Sequence, residues 1–196
     1  MLYRPHMPAP LTLAVLAGGA SHRMASDKVL LEIGGVTLLD HVLAAAGDLP
    51  AIVVGRHHPG VRSIPDPFPD RRGPLAGLVA ALDACAGAVL LVGADQPWLQ
   101  PATVRALSAA TTGDLPMAPI DDAVRQVLCA VFPFAVLPEA RRLLDAGRGP
   151  QAVLDLGCRD LSPEEWERWG EDGRSWFSVD TPELMTEGLR RYGPPR

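Results

Sequence analysis

Cysteine is scarce in this sequence, with three residues in 196, at positions 85, 129 and 158. Their odd number, wide separation and lack of any C-x-x-C pair exclude a disulfide framework and the usual zinc and redox spacings, so they read as reduced core thiols of a cytoplasmic protein. A basic surplus is also missing, because 18 Lys and Arg stand against 23 Asp and Glu for a formal charge of −5. That balance argues against a nucleic-acid partner, and it requires any anionic ligand to meet a local cationic site. No stretch approaches the roughly 20 apolar residues of a membrane span, so no membrane partner is expected. The apolar run 11-LTLAVL-16 is shorter than the roughly 7–15 residues of a signal-peptide core and fits a buried strand better. Residues 1–10, rich in proline and poor in core formers, read as a disordered tail, with Met7 as an alternative start.

What is present is 47% hydrophobic and 21% charged residues, the balance of a globular chain with one sizeable core. No repeat, low-complexity segment or linker divides it, and 11–191 is expected to be a single domain. Apolar strands alternate with amphipathic helices. After the strand at 11–16, the segment 37-TLLDHVLAAAG-47 places Leu38, Leu39, Val42, Leu43 and Ala46 on one helical face, with Thr37 as N-cap and Gly47 as stop. A short strand, 51-AIVV-54, then leads through a proline-rich connection, 59–74, to a helix on which Leu75, Leu78, Val79 and Leu82 recur. The strand 88-AVLLV-92 and a helix over 101–110, with proline in its first turn, complete a β-α-β-α-β-α series. A further strand is expected at 127–132, a helix at 138–147, and strand and helix over 175–191.

This order predicts an α/β fold of three layers, α/β/α, in which helices cover both faces of a Rossmann-like, mostly parallel sheet. Right-handed crossovers bring the loops after the strands to one edge, where ligands of such sheets bind. The loop at Gly18 and Gly19 and the loop 93-GADQP-97 therefore face one crevice.

The stretch 17-AGGASHRMASDK-28 joins unshielded glycine amides to Arg23 and Lys28, a combination suited to a phosphate chain. It is neither the P-loop, since Val29 follows Lys28, nor G-x-G-x-x-G, since the two glycines are adjacent. It resembles the signature L-A-G-G-x-S-x-R-M-G-x-D-K of nucleotidyltransferases of the molybdenum cofactor guanylyltransferase type, and stands here as 16-LAGGASHRMASDKVLLEIGG-35. The likeness continues in 66-DPFPDRRGPLAGL-78, 92-VGADQPWL-99, 140-ARRLLDAGRGPQAVLDL-156 and 176-WFSVDTPEL-184, which together span most of the chain in order. The G-P-L-A-G segment is that of the guanylyl rather than the cytidylyl branch. Three positions depart from the pattern. Ala25 replaces a glycine, Gly55 stands where an asparagine is common and removes a hydrogen bond to the nucleoside, and Asp180 replaces an asparagine.

The resemblance implies transfer of GMP from GTP to the terminal phosphate of molybdopterin, or of its molybdenum-loaded form, with release of pyrophosphate. Such a GT-A-like site works by neutralising charge and holding the reactants in line. It further implies that the backbone of Leu16, Ala17 and Gly18 lines the nucleotide together with Gly19, Gly55, Asp66, Gly73, Pro74 and Leu75. Lys28 pairs with the phosphates, Arg23 assists the leaving pyrophosphate, and Asp95 holds Mg²⁺. Transient contact with other proteins of molybdenum cofactor biosynthesis is expected. The alternatives are a related cytidylyl- or guanylyltransferase acting on another phosphorylated acceptor, such as phospholactate or a sugar phosphate, and a nucleotide-binding regulatory protein without turnover.

Each assignment has a plainer rival. The glycines could form a tight turn, the two cations a solvated face, Asp95 a cap at Pro97 and Asp66 a turn before Pro67. Adjacent His57 and His58 point to opposite sides of an extended segment and do not make a metal pair. Trp166 and Trp169 read as core or a covering flap, and Arg148 as a contact for the acceptor phosphate or a cation at a helix C-terminus. No serine, histidine and acid set supports a hydrolase.

Overall fold

The computed structural model describes residues 11–18, 30–65 and 73–195. In chain order, β1 (Thr12–Leu16) precedes a small hairpin of β2 (Glu32–Ile33) and β3 (Val36–Thr37), then α1 (Leu38–Ala44), β4 (Ala51–Val54), β5 (Arg62–Ile64), α2 (Gly73–Cys85), β6 (Val89–Gly93) and α3 (Pro101–Ala110). A second hairpin, β7 (Met117–Asp121) and β8 (Val124–Arg125), leads to β9 (Ala130–Phe132), α4 (Leu137–Asp145), α5 (Gln151–Leu154), β10 (Arg159–Leu161), α6 (Pro163–Glu167) and α7 (Pro182–Tyr192). The main sheet runs β10-β7-β9-β6-β1-β4-β5, with β8 added to β7. β9 is antiparallel to both of its neighbours, while β6, β1, β4 and β5 are mutually parallel.

Alternation along the central strands divides the core in two. Leu13, Val15, Val53, Leu90 and Val92 point to the face covered by α1, α3 and Trp166, whereas Ala14, Ile52, Val54, Val89 and Leu91 meet α2, α4 and α5 on the other. Both faces are apolar because both are covered, which is why these strands read as continuous hydrophobic runs. α1 starts as expected, with the Thr37 hydroxyl accepting from the Asp40 N–H at 3.1 Å, and Gly47 follows at φ +57°.

Three of the segments read above take a different form from the one expected. The connection 59–74 contains an additional strand, β5, whose burial is only partial at the sheet edge, so its sequence carries no apolar run. The segment 127–132 divides into a 3-10 turn at Val127–Cys129, with Leu128 at φ −93° and ψ 60°, and a strand of only three residues. Its backbone turns out of the ladder because the Leu128 carbonyl accepts from Gln96 Nε2 at 2.6 Å. Towards the C-terminus, Arg174–Trp176 is a 3-10 turn, held by tertiary contacts described below, and α7 alone continues regularly. The expected tail at 1–10 lies outside the described residues.

Candidate functional site

The parallel strands end level with one another. Leu16 is paired with Val54 on one side and with Gly93 on the other, so the loops that leave β1, β4 and β6 start from one edge of the sheet. Hydrogen bonds extend this alignment past the strands, from the Ala17 N–H to the Val54 carbonyl at 2.9 Å and from the Ala94 N–H to the Leu16 carbonyl at 3.0 Å. The expected convergence of the Gly18 loop with the 93–97 loop is thereby formed at the level of the backbone.

Gly18 and Gly55 approach each other more closely than side chains would permit. A Cβ at Gly18 would lie 2.9 Å from the Gly55 Cα, and Gly55 has φ +92°. Its N–H is bonded to the Ile64 carbonyl at 2.8 Å. The glycine at 55, read from the sequence as a lost nucleoside contact, is therefore a position that the loop after β1 requires to be bare. Gly18 is exposed at the rim, while Leu16 and Ala17 are half-buried.

α2 begins at the same edge, with Gly73 and Pro74 exposed. The side chain of Leu75 has no exposure and belongs to the core, so only its backbone is available to a ligand. The first-turn N–H groups of a helix lack intrahelical partners, which suits this end to an anionic or polar ligand.

Asp95 sits in the turn after β6, half-buried. Its carboxylate folds back over Gly93, where a Cβ would come within 2.4 Å of Oδ1. Gln96, which the sequence reading passed over, shapes this turn. It is 2% exposed; its Oε1 accepts from the Gly93 N–H at 2.7 Å while Nε2 donates to the Leu128 carbonyl. The side-chain amide thus takes the place of ladder bonds where β9 has already turned away. The helix that follows has Gln100, not Asp95, as its N-cap. Asp95 also accepts at its carbonyl from the Val179 N–H at 2.7 Å, which brings Asp180 beside the loop. The D-T-P sequence at 180–182 was the available signal for that segment.

A half-buried carboxylate at the sheet edge where these loops gather suits a hard cation that is otherwise bound by phosphate oxygens and water, the donor set Mg²⁺ prefers. Among the described residues, no group of three or more His, Cys, Asp or Glu gathers as a metal cage. Gly19, Arg23, Lys28 and Asp66, along with Ala25, lie outside the described residues.

The remaining candidates fall elsewhere. His58 is paired through Nε2 with the Asp40 carboxylate at 2.9 Å; together with the Thr37 hydroxyl, whose effect is larger, it holds Asp40 below the ordinary carboxylate range. Trp166 is core, its indole N–H donating to the Ile120 carbonyl at 3.0 Å and its ring edge-on to Trp176. Arg148 is exposed past the end of α4, with its backbone N–H donating to the Leu143 carbonyl at 2.9 Å. Among the described residues, no helix is long and apolar enough to cross a membrane.

Comparison with known proteins agrees with this geometry. Residues 13–162 match the model of the MobA-like NTP transferase domain. A molybdenum cofactor guanylyltransferase of Xanthomonas euvesicatoria pv. vesicatoria is 37% identical over 151 residues, covering 76% of this chain and 73% of the relative. A probable molybdenum cofactor guanylyltransferase of Deinococcus radiodurans is 38% identical over 148 residues, covering 70% and 75%. In fold, the crystal structure of molybdopterin-guanine dinucleotide biosynthesis protein A from Archaeoglobus fulgidus superposes with a TM-score of 0.79 at 21% identity, over 91% of this chain and 97% of that one. The chain belongs to the family of the MobA-like NTP transferase domain and is a nucleotidyltransferase.

Proposed function

We propose that this protein transfers GMP from GTP to the terminal phosphate of molybdopterin or its molybdenum-loaded form, releasing pyrophosphate and forming a guanine dinucleotide cofactor. The observation that carries the reading is the level ending of β1, β4 and β6, which starts the loops of Gly18, Gly55 and Asp95 from one edge of the sheet, with Gly18 and Gly55 meeting backbone to backbone. The names of the relatives above support the choice of substrates.

In this reading the backbone from Leu16 to Gly19, with Gly55 and Asp66, lines the nucleoside and sugar, and the start of α2 at Gly73, Pro74 and Leu75 offers backbone groups to guanine. Arg23 and Lys28 neutralise the triphosphate, Lys28 as a point charge and Arg23 on the departing pyrophosphate. Asp95 holds Mg²⁺, which when bound supplies charge neutralisation across the phosphates. The protein's own part in the step is to keep acceptor phosphate, α-phosphorus and leaving group in line and to exclude competing water.

The test is pyrophosphate release with each of the four nucleoside triphosphates, with and without molybdopterin. Release that needs both GTP and molybdopterin is expected. A base mismatch leaves polar groups unpaired at about 1–3 kcal/mol each, so ATP should be at least about tenfold weaker. Asp95→Asn preserves shape but removes charge, and it should lower turnover by orders of magnitude with partial recovery at high Mg²⁺ and an unchanged ligand-free melting temperature. A preference for CTP, or full turnover by Asp95→Asn at low Mg²⁺, would overturn the assignment.

A further inference from the structure

We infer that Glu171 is a positioning residue for the reaction, a buried carboxylate that clasps the segment 171–179 onto the start of α3 and thereby fixes the loop carrying Asp95. Glu171 is 3% exposed, and its two oxygens are fully engaged by hydrogen-bond donors. Oε1 accepts the backbone N–H groups of Asp172 at 3.0 Å, Gly173 at 2.9 Å and Ser175 at 3.2 Å. Oε2 accepts the Thr103 hydroxyl at 2.5 Å and the Ser175 hydroxyl. Thr103 and Ser175 are themselves 0% exposed.

The clasp reaches the Asp95 loop by two routes. Ser175 Oγ accepts the N–H of Gln100, the N-cap of α3, whose own side chain makes no capping bond. Four residues beyond Ser175, the Val179 N–H donates to the Asp95 carbonyl at 2.7 Å. The loop 93–100 is consequently held at its start by Gln96 on Gly93, in its middle by Val179 and at its end by Ser175. Two of those three holds come from the segment that Glu171 orders.

A buried charge is a costly way to fill space, and apolar packing of the same volume is often as stable. What a carboxylate adds is directional. It collects three amides and two hydroxyls in one arrangement, so the segment and the helix meet in a single register. A residue serving only packing would lack that directional demand.

The catalytic consequence rests on the role proposed above for Asp95, while the clasp itself does not. Glu171→Gln keeps the size and the acceptor for the three backbone amides but places an NH₂ group opposite the two hydroxyls. Amide hydrogen exchange and pyrophosphate release, both measured well below melting, test the two parts separately. We expect exchange at Gln100 and Val179 to quicken at least tenfold while Val89–Val92 stay protected. We further expect kcat to fall about tenfold, with a raised Mg²⁺ requirement and a nearly constant KM for GTP at saturating metal. Ser175→Ala should reproduce both effects, and it serves as the test if Glu171→Gln does not fold. Unchanged exchange at Gln100 and Val179 in these variants would overturn the clasp. Quickened exchange with unaltered kcat and Mg²⁺ dependence would overturn the positioning role. If the wild-type chain released no pyrophosphate with any nucleotide, the transferase reading and the catalytic half of this inference would fall, and the exchange comparison would still decide the clasp.

Discussion

A methyl group at the Cβ position of Gly55 would lie 2.5 Å from the Cα of Gly18 and 2.7 Å from its nitrogen, so the loops after β4 and β1 meet backbone against backbone. Neither side of that contact is a flexible side-chain end, and neither can yield without moving a loop. Because Gly55 also has φ +92°, Gly55→Ala adds a conformational cost of about 1–3 kcal/mol to the clash. We expect its melting temperature to fall by roughly 2–10 °C and its affinity for GTP to drop, since the Gly18 backbone is displaced. Thermal melts with and without nucleotide check this. A wild-type melt and affinity would mean that the two loops are not in contact.

Gly93→Ala probes the carboxylate rather than the fold. The added methyl meets Asp95 Oδ1, a side-chain atom rather than backbone, so the carboxylate shifts before the strand does and the apo melting temperature should fall less than in Gly55→Ala. Displacing the proposed metal ligand should reduce turnover at least about tenfold, since small misplacements at a reacting centre cost that much or more. Pyrophosphate release across a Mg²⁺ titration, run beside the melt, separates the two effects.

Gln96→Met preserves volume but removes both halves of the side-chain amide. The Gly93 N–H and the Leu128 carbonyl are then left without the Gln96 partner in a buried setting, at about 1–3 kcal/mol each. Urea denaturation should show a clear loss of stability, and turnover should fall as well because the same turn carries Asp95. Stability equal to that of wild type would mean that ordered water replaces the amide.

The thiols set an alkaline limit. Burial pushes Cys158 up to about 11, and it likewise raises Cys85 and Cys129. An unfolded cysteine ionises at about 8.5, so above that pH the unfolded chain loses protons that the native chain retains. The stabilisation is complete below that value and is lost as pH rises toward the native values, with Tyr192, also raised by burial, adding loss of the same sign at higher pH. Urea midpoints in reducing buffer should fall between about pH 8.5 and 11, and Cys129→Val should make the fall shallower. A flat profile would contradict the full burial of Cys129 and the partial burial of Cys85 and Cys158.

Much of the fold was readable because it is locally encoded. The run 51-AIVV-54 is the whole of β4, and the helix expected at 101–110 is α3 residue for residue, since proline, apolar spacing and short connections each act within a few residues. β5 was hidden because an edge strand with one partner has no need of an apolar run. The division of 127–132 was hidden because its cause, Gln96, lies 32 residues away from the carbonyl it engages.

The candidate site divides in the same way. Residue types suited to phosphate, the glycine loop with its cations and the aspartate after a buried strand are chemical facts of the sequence, and with the motif order they were sufficient to indicate a nucleotidyltransferase. Tertiary structure decided which backbone must be bare, where the Asp95 carboxylate turns, and that Glu171 and Val179 hold the loop from the far end of the chain. These contacts join segments up to 84 residues apart, as from Asp95 to Val179, and no local periodicity records them. Their energies arise only once the sheet has brought its strand ends level. Propensity and pattern therefore determined the elements and the class of chemistry, while close packing and the demand that buried polar groups find partners determined the geometry of the site.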